Sequence, residues 1–190
     1  GDWSGQVYLF SRESSTPIWS YDTGSSGADN VDSLDISADG EYIIVGSEDD
    51  KVYVFAKDSS TPLWTYDTGD NVKGAAVSSD GKYIAIGSHS DKIFLFDIDS
   101  STPLWTYTAG DVVDTISISA DGEYIAAGSW DNKVYVFDKD SSTPLWSYTT
   151  ENDVHAVSIS MDGEYILAGS EDDRLYFFDK DSSTPIWRHD

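Results

Sequence analysis

The hydrophobic and polar positions along this chain alternate in short blocks, which predicts β-strands rather than long helices. Apolar and aromatic runs such as residues 42–45 and 52–55 are rich in β-branched and aromatic side chains and are bounded by Gly, Asp and Ser. Runs of this length are too short for amphipathic helices. Because they are almost continuously apolar, we expect the strands they form to be covered on both faces.

These blocks recur with a nearly fixed period along the whole chain. A proline stands in the same short motif at Pro17, Pro62, Pro103, Pro144 and Pro185, in steps of 45, 41, 41 and 41 residues. This period is typical of the four-stranded blades of β-propellers. Each unit then contains an inner, a second, a third and an outer strand. We expect the proline to open the outer strand, where a missing N–H is tolerated.

Polar turns and recurrent tryptophans complete the predicted blade. Asp-Gly pairs at residues 39–40, 80–81, 121–122 and 162–163 supply residues that tolerate positive φ between the inner and second strands. Asp-Asp or Asp-Asn before the third strand makes the second turn. We expect the repeated tryptophans to be packing residues, each donating its indole N–H to a backbone carbonyl of the next blade. They are Trp19, Trp64, Trp105, Trp146 and Trp187.

The strand count predicts an all-β protein, a β-propeller of four-stranded antiparallel blades with about four and a half blades. Residues 1–30 provide a half blade of third and outer strands with an insertion, followed by full units at 31–69, 70–110, 111–150 and 151–190. The third-strand edge at residues 7–10 is then open, which favours self-association. The chain is part of a larger ring, closes with another chain, or forms a four-bladed monomer with an extra hairpin.

Composition restricts the class of partner. Hydrophobic residues make up 39% and aromatic residues 14%, which is typical of a folded domain. Thirty-five acidic against eleven basic residues give a net charge of −24, which repels phosphate backbones, so we expect no nucleic acid partner. No apolar run approaches the length of a membrane span. The acid excess favours solubility, slightly favours an extracellular or cell-surface prokaryotic location, and also suits basic partners.

Sequence motifs for catalysis, metals or cofactors are absent. The chain has no cysteine, no G-x-S-x-G, no H-E-x-x-H and no phosphate loop. His89, His155 and His189 lie in different units at non-equivalent positions, so we expect no metal triad. The acidic turns at residues 47–50 and 170–173 offer oxygens to calcium, although such turns are more often solvated. We therefore predict neither a cofactor nor a metal, with calcium left open.

The order of strands and turns resembles two repeat families. An inner strand ending in Ser, an Asp-Gly turn, a Tyr-led apolar strand ending in Gly-Ser and an acidic turn are similar to tryptophan-aspartate (WD) repeats. The motif PLWTYDTG at residues 62–69 resembles quinoprotein (PQQ)-like repeats. The resemblance spans every unit and implies a β-propeller. Because the Trp-Asp dipeptide, the Gly-His pair and a cysteine pair are missing, it assigns no cofactor-binding residue.

Positions that differ between otherwise similar units are the candidate partner-binding residues. One variable column lies in the turn between the second and third strands, and the other lies at the start of the inner strand. We expect both columns on one face, around the mouth of the propeller channel, which we call the channel-mouth face. The first column contains Trp3, Glu48, His89, Trp130 and Glu171, and the second contains Asp32, Lys73, Asp114 and His155. Neutral drift of exposed turns is the plainer explanation, whereas Trp3 and Trp130 favour binding, because tryptophan is a common interface anchor.

Three functional hypotheses follow from this pattern. The first is a non-catalytic scaffold that binds a protein, peptide or glycan on the channel-mouth face. The second is a quinoprotein-like or other propeller enzyme, which needs a convergent acid, base or nucleophile that the nearly identical units do not offer. The third is a purely structural or engineered repeat array. We favour the scaffold.

Overall fold

The computed structural model describes residues 4–24 and 30–190, which form antiparallel β-sheets joined by turns. A two-stranded sheet, blade 1, is followed by four sheets of four strands, blades 2 to 5. Blade 1 contains β1 (Gln6–Phe10) and β2 (Pro17–Asp22). This order confirms the prediction of four full blades and a partial one.

Each full blade runs in sequence order from its inner strand to its outer strand. Blade 2 contains β3 (Val31–Ile36), β4 (Tyr42–Ser47), β5 (Lys51–Ala56) and β6 (Trp64–Asp67). Blade 3 contains β7 (Val72–Val77), β8 (Tyr83–Ser88), β9 (Lys92–Asp97) and β10 (Trp105–Thr108). Blade 4 contains β11 (Val113–Ile118), β12 (Tyr124–Ser129), β13 (Lys133–Asp138) and β14 (Trp146–Thr149). Blade 5 contains β15 (Val154–Ile159), β16 (Tyr165–Ser170), β17 (Arg174–Asp179) and β18 (Trp187–His189).

The two hairpin turns of each blade have the predicted left-handed backbone. Gly40 has φ of 74° in the first turn of blade 2, and Asp50 has φ of 70° in the second. The equivalent residues of blades 3 to 5 adopt nearly the same values. Glycine, Asp and Asn tolerate this conformation best, so the turn residues fix the hairpins locally.

The core lies between blades rather than within one sheet. The inner strands of successive full blades lie side by side, and side chains of neighbouring blades form shared apolar clusters. In the cluster between blades 2 and 3, Ile44, Val52 and Val54 pack with Ile84 and Phe96. Burial on both faces of the second and third strands therefore results from stacking.

Four of the five recurrent tryptophans join their blade to the next, as predicted, and Trp187 does not. The Trp64 indole nitrogen donates to the Ile98 carbonyl at 2.6 Å, and the Trp105 nitrogen donates to the Lys139 carbonyl at 2.7 Å. Trp19 and Trp146 make equivalent bonds to Lys57 and Lys180. Each ring also packs on a phenylalanine of that next blade, as Trp105 does on Phe137 at 5.3 Å between centroids.

Two expectations about strands require correction. In the full blades the outer strand begins at tryptophan, two residues after the proline, so only Pro17 opens a strand. The Leu63 N–H donates to the Val54 carbonyl at 2.7 Å, which leaves Pro62 just outside the ladder.

Blade 5 is the second exception, because its second and third strands are not covered on both faces. Leu167 is 38% exposed, Leu175 is 44% exposed and Trp187 is 45% exposed. Trp187 stacks instead on Phe177 of its own blade. The described residues thus form an open row of blades, with one uncovered face at blade 5 and a half blade at the other end.

Candidate functional site

The candidate residues at the start of the inner strands occupy β-bulges. In blade 2, Val31 pairs with Ser47 and Ser33 with Gly46, so Asp32 is an extra residue outside the ladder. Lys73, Asp114 and His155 occupy the same irregular position in blades 3, 4 and 5. A bulge redirects a side chain without breaking the strand, and bulges are common beside binding and active sites.

Lys73 links the two variable columns at the junction of blades 2 and 3. Its ammonium group contacts the Asp32 carboxylate, and it lies 3.3 Å from Oε1 of Glu48. Glu48 is held in turn by the Asn30 amide, which donates to Oε2 at 2.8 Å. Burial lowers the pKa of Lys73, but its bonds and charge interactions with Asp32 and Glu48 outweigh this effect and raise the pKa.

Trp130 lies between two histidines that belong to the blades on either side. The rings of His89 and Trp130 are 5.5 Å apart, and those of Trp130 and His155 are 6.0 Å apart with an edge-on arrangement. The structure therefore brings together three variable positions from blades 3, 4 and 5. We call these three residues the aromatic row.

Carboxylates flank the aromatic row at His155. The Nδ1 atom of His155 lies 2.7 Å from Oδ2 of Asp114, and Nε2 lies 3.0 Å from Oε1 of Glu171. The hydrogen bond with Asp114 raises the pKa of His155, and the nearby Glu171 adds to this rise, while burial opposes it. The cationic imidazolium form is favoured because it donates to both carboxylates.

Two buried nitrogens of the aromatic row have no hydrogen-bond partner among the described residues. They are Nε2 of His89 and Nε1 of Trp130. A buried polar atom without a partner lowers stability, usually by about 1–3 kcal/mol.

The structure thus brings eight of the nine candidate residues into two groups. Asp32, Lys73 and Glu48 form the group at blades 2 and 3, which we call the ionic group. The other group joins the aromatic row to Asp114 and Glu171. Trp3 lies outside the described residues. Sequence reasoning missed Asn30, which lies just before an inner strand and positions Glu48.

In each acidic turn proposed for calcium, one aspartate carboxylate is bonded within the protein. Asp172 accepts hydrogen bonds from the Tyr176 hydroxyl at 2.6 Å and from the Glu151 and Arg174 amides. Burial, together with the bond to Asp172, raises the pKa of Tyr176 to about 12. Asp49 is similarly bonded to Lys51 and Tyr53. These bonds give the turns a structural role.

A group of three residues in the described part of the chain has metal-ligand spacing. The ligand atoms of Asp153, His155 and Glu171 lie within 4.8 Å of one another. A nitrogen and two carboxylates suit zinc and similar ions. However, His155 and Glu171 are exposed and already bonded to each other. That bond holds His155 beside Glu171, and exposed acidic groups of this kind are common without an ion.

The architecture defines a β-propeller repeat protein, and comparison with family models agrees. The Vps42 beta-propeller model matches residues 70–171. A PQQ-type model, described as outer membrane protein assembly factor BamB, matches residues 3–117. Each match covers more than half of the chain, which therefore belongs to the β-propeller repeat families that these models describe. A comparison with curated proteins finds no match.

Within residues 4–24 and 30–190, no helix has the length and apolar character needed to cross a bilayer.

Proposed function

We propose that this chain is a non-catalytic scaffold that binds a basic protein or peptide segment on its channel-mouth face. The observation that carries the proposal is the aromatic row, in which Trp130 lies between His89 and His155. Tryptophan is enriched among the residues that dominate binding energy at interfaces. The row brings together side chains of three blades, of which His155 is exposed and His89 and Trp130 are half-buried.

Charge favours a basic segment over a glycan. Asp114 and Glu171 flank the aromatic row, and the whole chain carries a net charge of −24. A field of this sign attracts Lys and Arg side chains, which also pack favourably on the face of an indole ring. A neutral glycan gains nothing from the field and is the alternative ligand.

The position of these residues supports binding rather than a purely structural array. The repeated scaffold places the variable residues on bulges and turns, where a change of side chain leaves the strand pairing intact. No hydrogen bond to another described residue holds Nε2 of His89 or Nε1 of Trp130, so these two nitrogens take no part in the hydrogen bonding that joins the blades.

The contacts of His155 support a scaffold rather than an enzyme. Its ring contacts are two carboxylates and the Trp130 indole. Nucleophilic catalysis needs a nucleophile within hydrogen-bond reach of its base. The carboxylate pair instead favours the protonated form of His155 and holds its ring in place.

The test is selection of a random peptide library displayed on phage against the immobilised protein. We expect enriched peptides to contain Lys and Arg, and Trp130→Ala to weaken their binding at least about tenfold. Other repeats carry Glu48, His89 or Glu171 at this position, so the scaffold tolerates its replacement. Leu104→Ser is the matched control, because Leu104 is 53% exposed on a turn before an outer strand.

Unchanged binding by the Trp130→Ala variant would contradict the proposed site. Enrichment without basic residues would contradict the proposed ligand. A glycan microarray tests the alternative ligand in parallel. Saturable glycan binding that depends on Trp130 would support the proposed binding face and contradict the proposed basic peptide ligand.

A further inference from the structure

An apolar groove of about 220 Å³ lies between blade 1 and blade 2, and none of the described channel-mouth residues lines it. Val7, Leu9 and Trp19 of the half blade form one wall. Leu34 and Ile36 of the inner strand β3 form the other. The groove therefore occupies the position that the inner and second strands take in every full blade.

Two apolar side chains of β3 that face the groove lack the cover that their equivalents have in blade 3. Leu34 is 47% exposed and Ile36 is 51% exposed, whereas their equivalents in blade 3, Ala75 and Val77, are 9% and 8% exposed. Ala75 and Val77 are covered because Ile44, on the second strand of the preceding blade, packs in the same cluster. Blade 1 has no second strand among the described residues, so Leu34 and Ile36 have no such cover.

The backbone of β1 presents a matching strand edge. In blade 2 the third strand β5 pairs on one side with the second strand β4 and on the other with the outer strand β6. The equivalent third strand β1 pairs only with β2 within the described residues. An open edge next to an apolar wall is the arrangement to which an extended segment adds as a further strand.

We infer that this groove binds a β-hairpin with the inner and second strands of this same repeat pattern. The hairpin adds antiparallel to β1 and lays its second strand over Leu34 and Ile36. In the three complete junctions between described blades, a hairpin of this pattern fills the equivalent space. Binding in the groove is independent of the function proposed for the channel-mouth face.

Side-chain size specifies which hairpin fits. At each junction, one residue of the second strand lies in the same apolar cluster as a residue of the next blade's inner strand, and we call the first of these the covering position. One of the two residues is larger than the other in every case. Ile44 packs in the cluster of Ala75, Ala85 in that of Ile116, and Ala126 in that of Val157. Because Leu34 is large, the groove requires a small residue at this position. Cores tolerate volume-conserving exchanges better than overpacking.

A synthetic peptide of residues 113–129, which carries Ala126, tests the inference directly. Fluorescence anisotropy of the labelled peptide, titrated with the whole protein, should show saturable binding. The same peptide with Ala126→Ile should bind about fivefold more weakly or worse, because it overpacks against Leu34. Hydrogen exchange should show new protection of the β1 amides when the peptide is bound.

Protein variants locate the site. Leu34→Arg should weaken peptide binding at least about tenfold, and Leu145→Arg, at a 50% exposed position of blade 4, should leave it unchanged. Circular dichroism confirms that both variants keep the fold, since both positions are exposed. The inference is overturned by absence of saturable binding or by equal binding to Leu34→Arg. It is also overturned by a dimer that ignores the peptide and that Leu34→Arg dissociates, which would assign the groove to a folded second copy.

Discussion

Replacing Gly87 by alanine should destabilise the junction between blades 3 and 4. A Cβ atom at Gly87 would lie 2.8 Å from Cγ1 of Val113 and 3.0 Å from the Val113 carbonyl oxygen. The side chain can rotate, but the carbonyl belongs to the inner strand β11 and cannot move without disturbing that strand. Gly87 is thus required for the close approach of one blade to the next.

The magnitude follows from two opposing effects. Overpacking of a closely packed site costs about 1–3 kcal/mol. Loss of backbone freedom in the unfolded chain stabilises an alanine variant by about 0.4–1 kcal/mol. We therefore expect Gly87→Ala to lower the free energy of unfolding by about 1–2 kcal/mol. Because each blade contacts only its neighbours, the effect belongs to this junction.

Gly169 provides a matched control within the same repeat pattern. It is the equivalent glycine of blade 5, and a Cβ atom there would lie 3.6 Å from Leu175 and 3.7 Å from Ala156. These are ordinary contacts, because no inner strand of another blade packs on Gly169 among the described residues. Gly169→Ala should leave stability unchanged or raise it by up to about 1 kcal/mol. Urea unfolding followed by circular dichroism measures both variants, and an equal loss in the two would refute the argument.

Two further predictions concern single hydrogen bonds. Trp105→Phe keeps the ring against Phe137 but removes the donor to the Lys139 carbonyl, so the free energy of unfolding should fall by about 1 kcal/mol in the same urea assay. His155 has a raised pKa, so its stabilising contribution is complete below the ordinary value of about 6.5 and is lost as pH rises through the raised value. NMR titration should show the His155 pKa falling in Asp114→Asn, and the stability difference between wild type and His155→Gln should shrink at alkaline pH.

Features set by local chemistry were predictable from the sequence. The left-handed backbone at Gly40 and Asp50 follows from residue types that tolerate it. The tryptophan hydrogen bonds between blades could be predicted because the tryptophan recurs once per unit. In equivalent units its indole N–H has an equivalent backbone partner. Trp187 is the exception, because within residues 4–24 and 30–190 no further blade covers it and it is exposed.

Features that depend on pairing between residues far apart in the chain were harder to predict from the sequence. The bulge at Asp32 depends on the register between β3 and β4, which side-chain patterns alone do not fix. Lys73 meets Asp32 from 41 residues away, so their contact requires the stacking of two blades. The variable columns identified the residues, whereas the structure supplied their grouping into the ionic group and the aromatic row.

The bulges carry a consequence for how such a protein can diversify. A residue outside the hydrogen-bond ladder can be exchanged without shifting the register of its strand. Asp32, Lys73, Asp114 and His155 illustrate this, since an acid, an amine and an imidazole occupy the same backbone geometry. The surface formed by these bulge residues can therefore change its charge and hydrogen-bonding groups by single substitutions, one blade at a time. The apolar core between the blades stays the same.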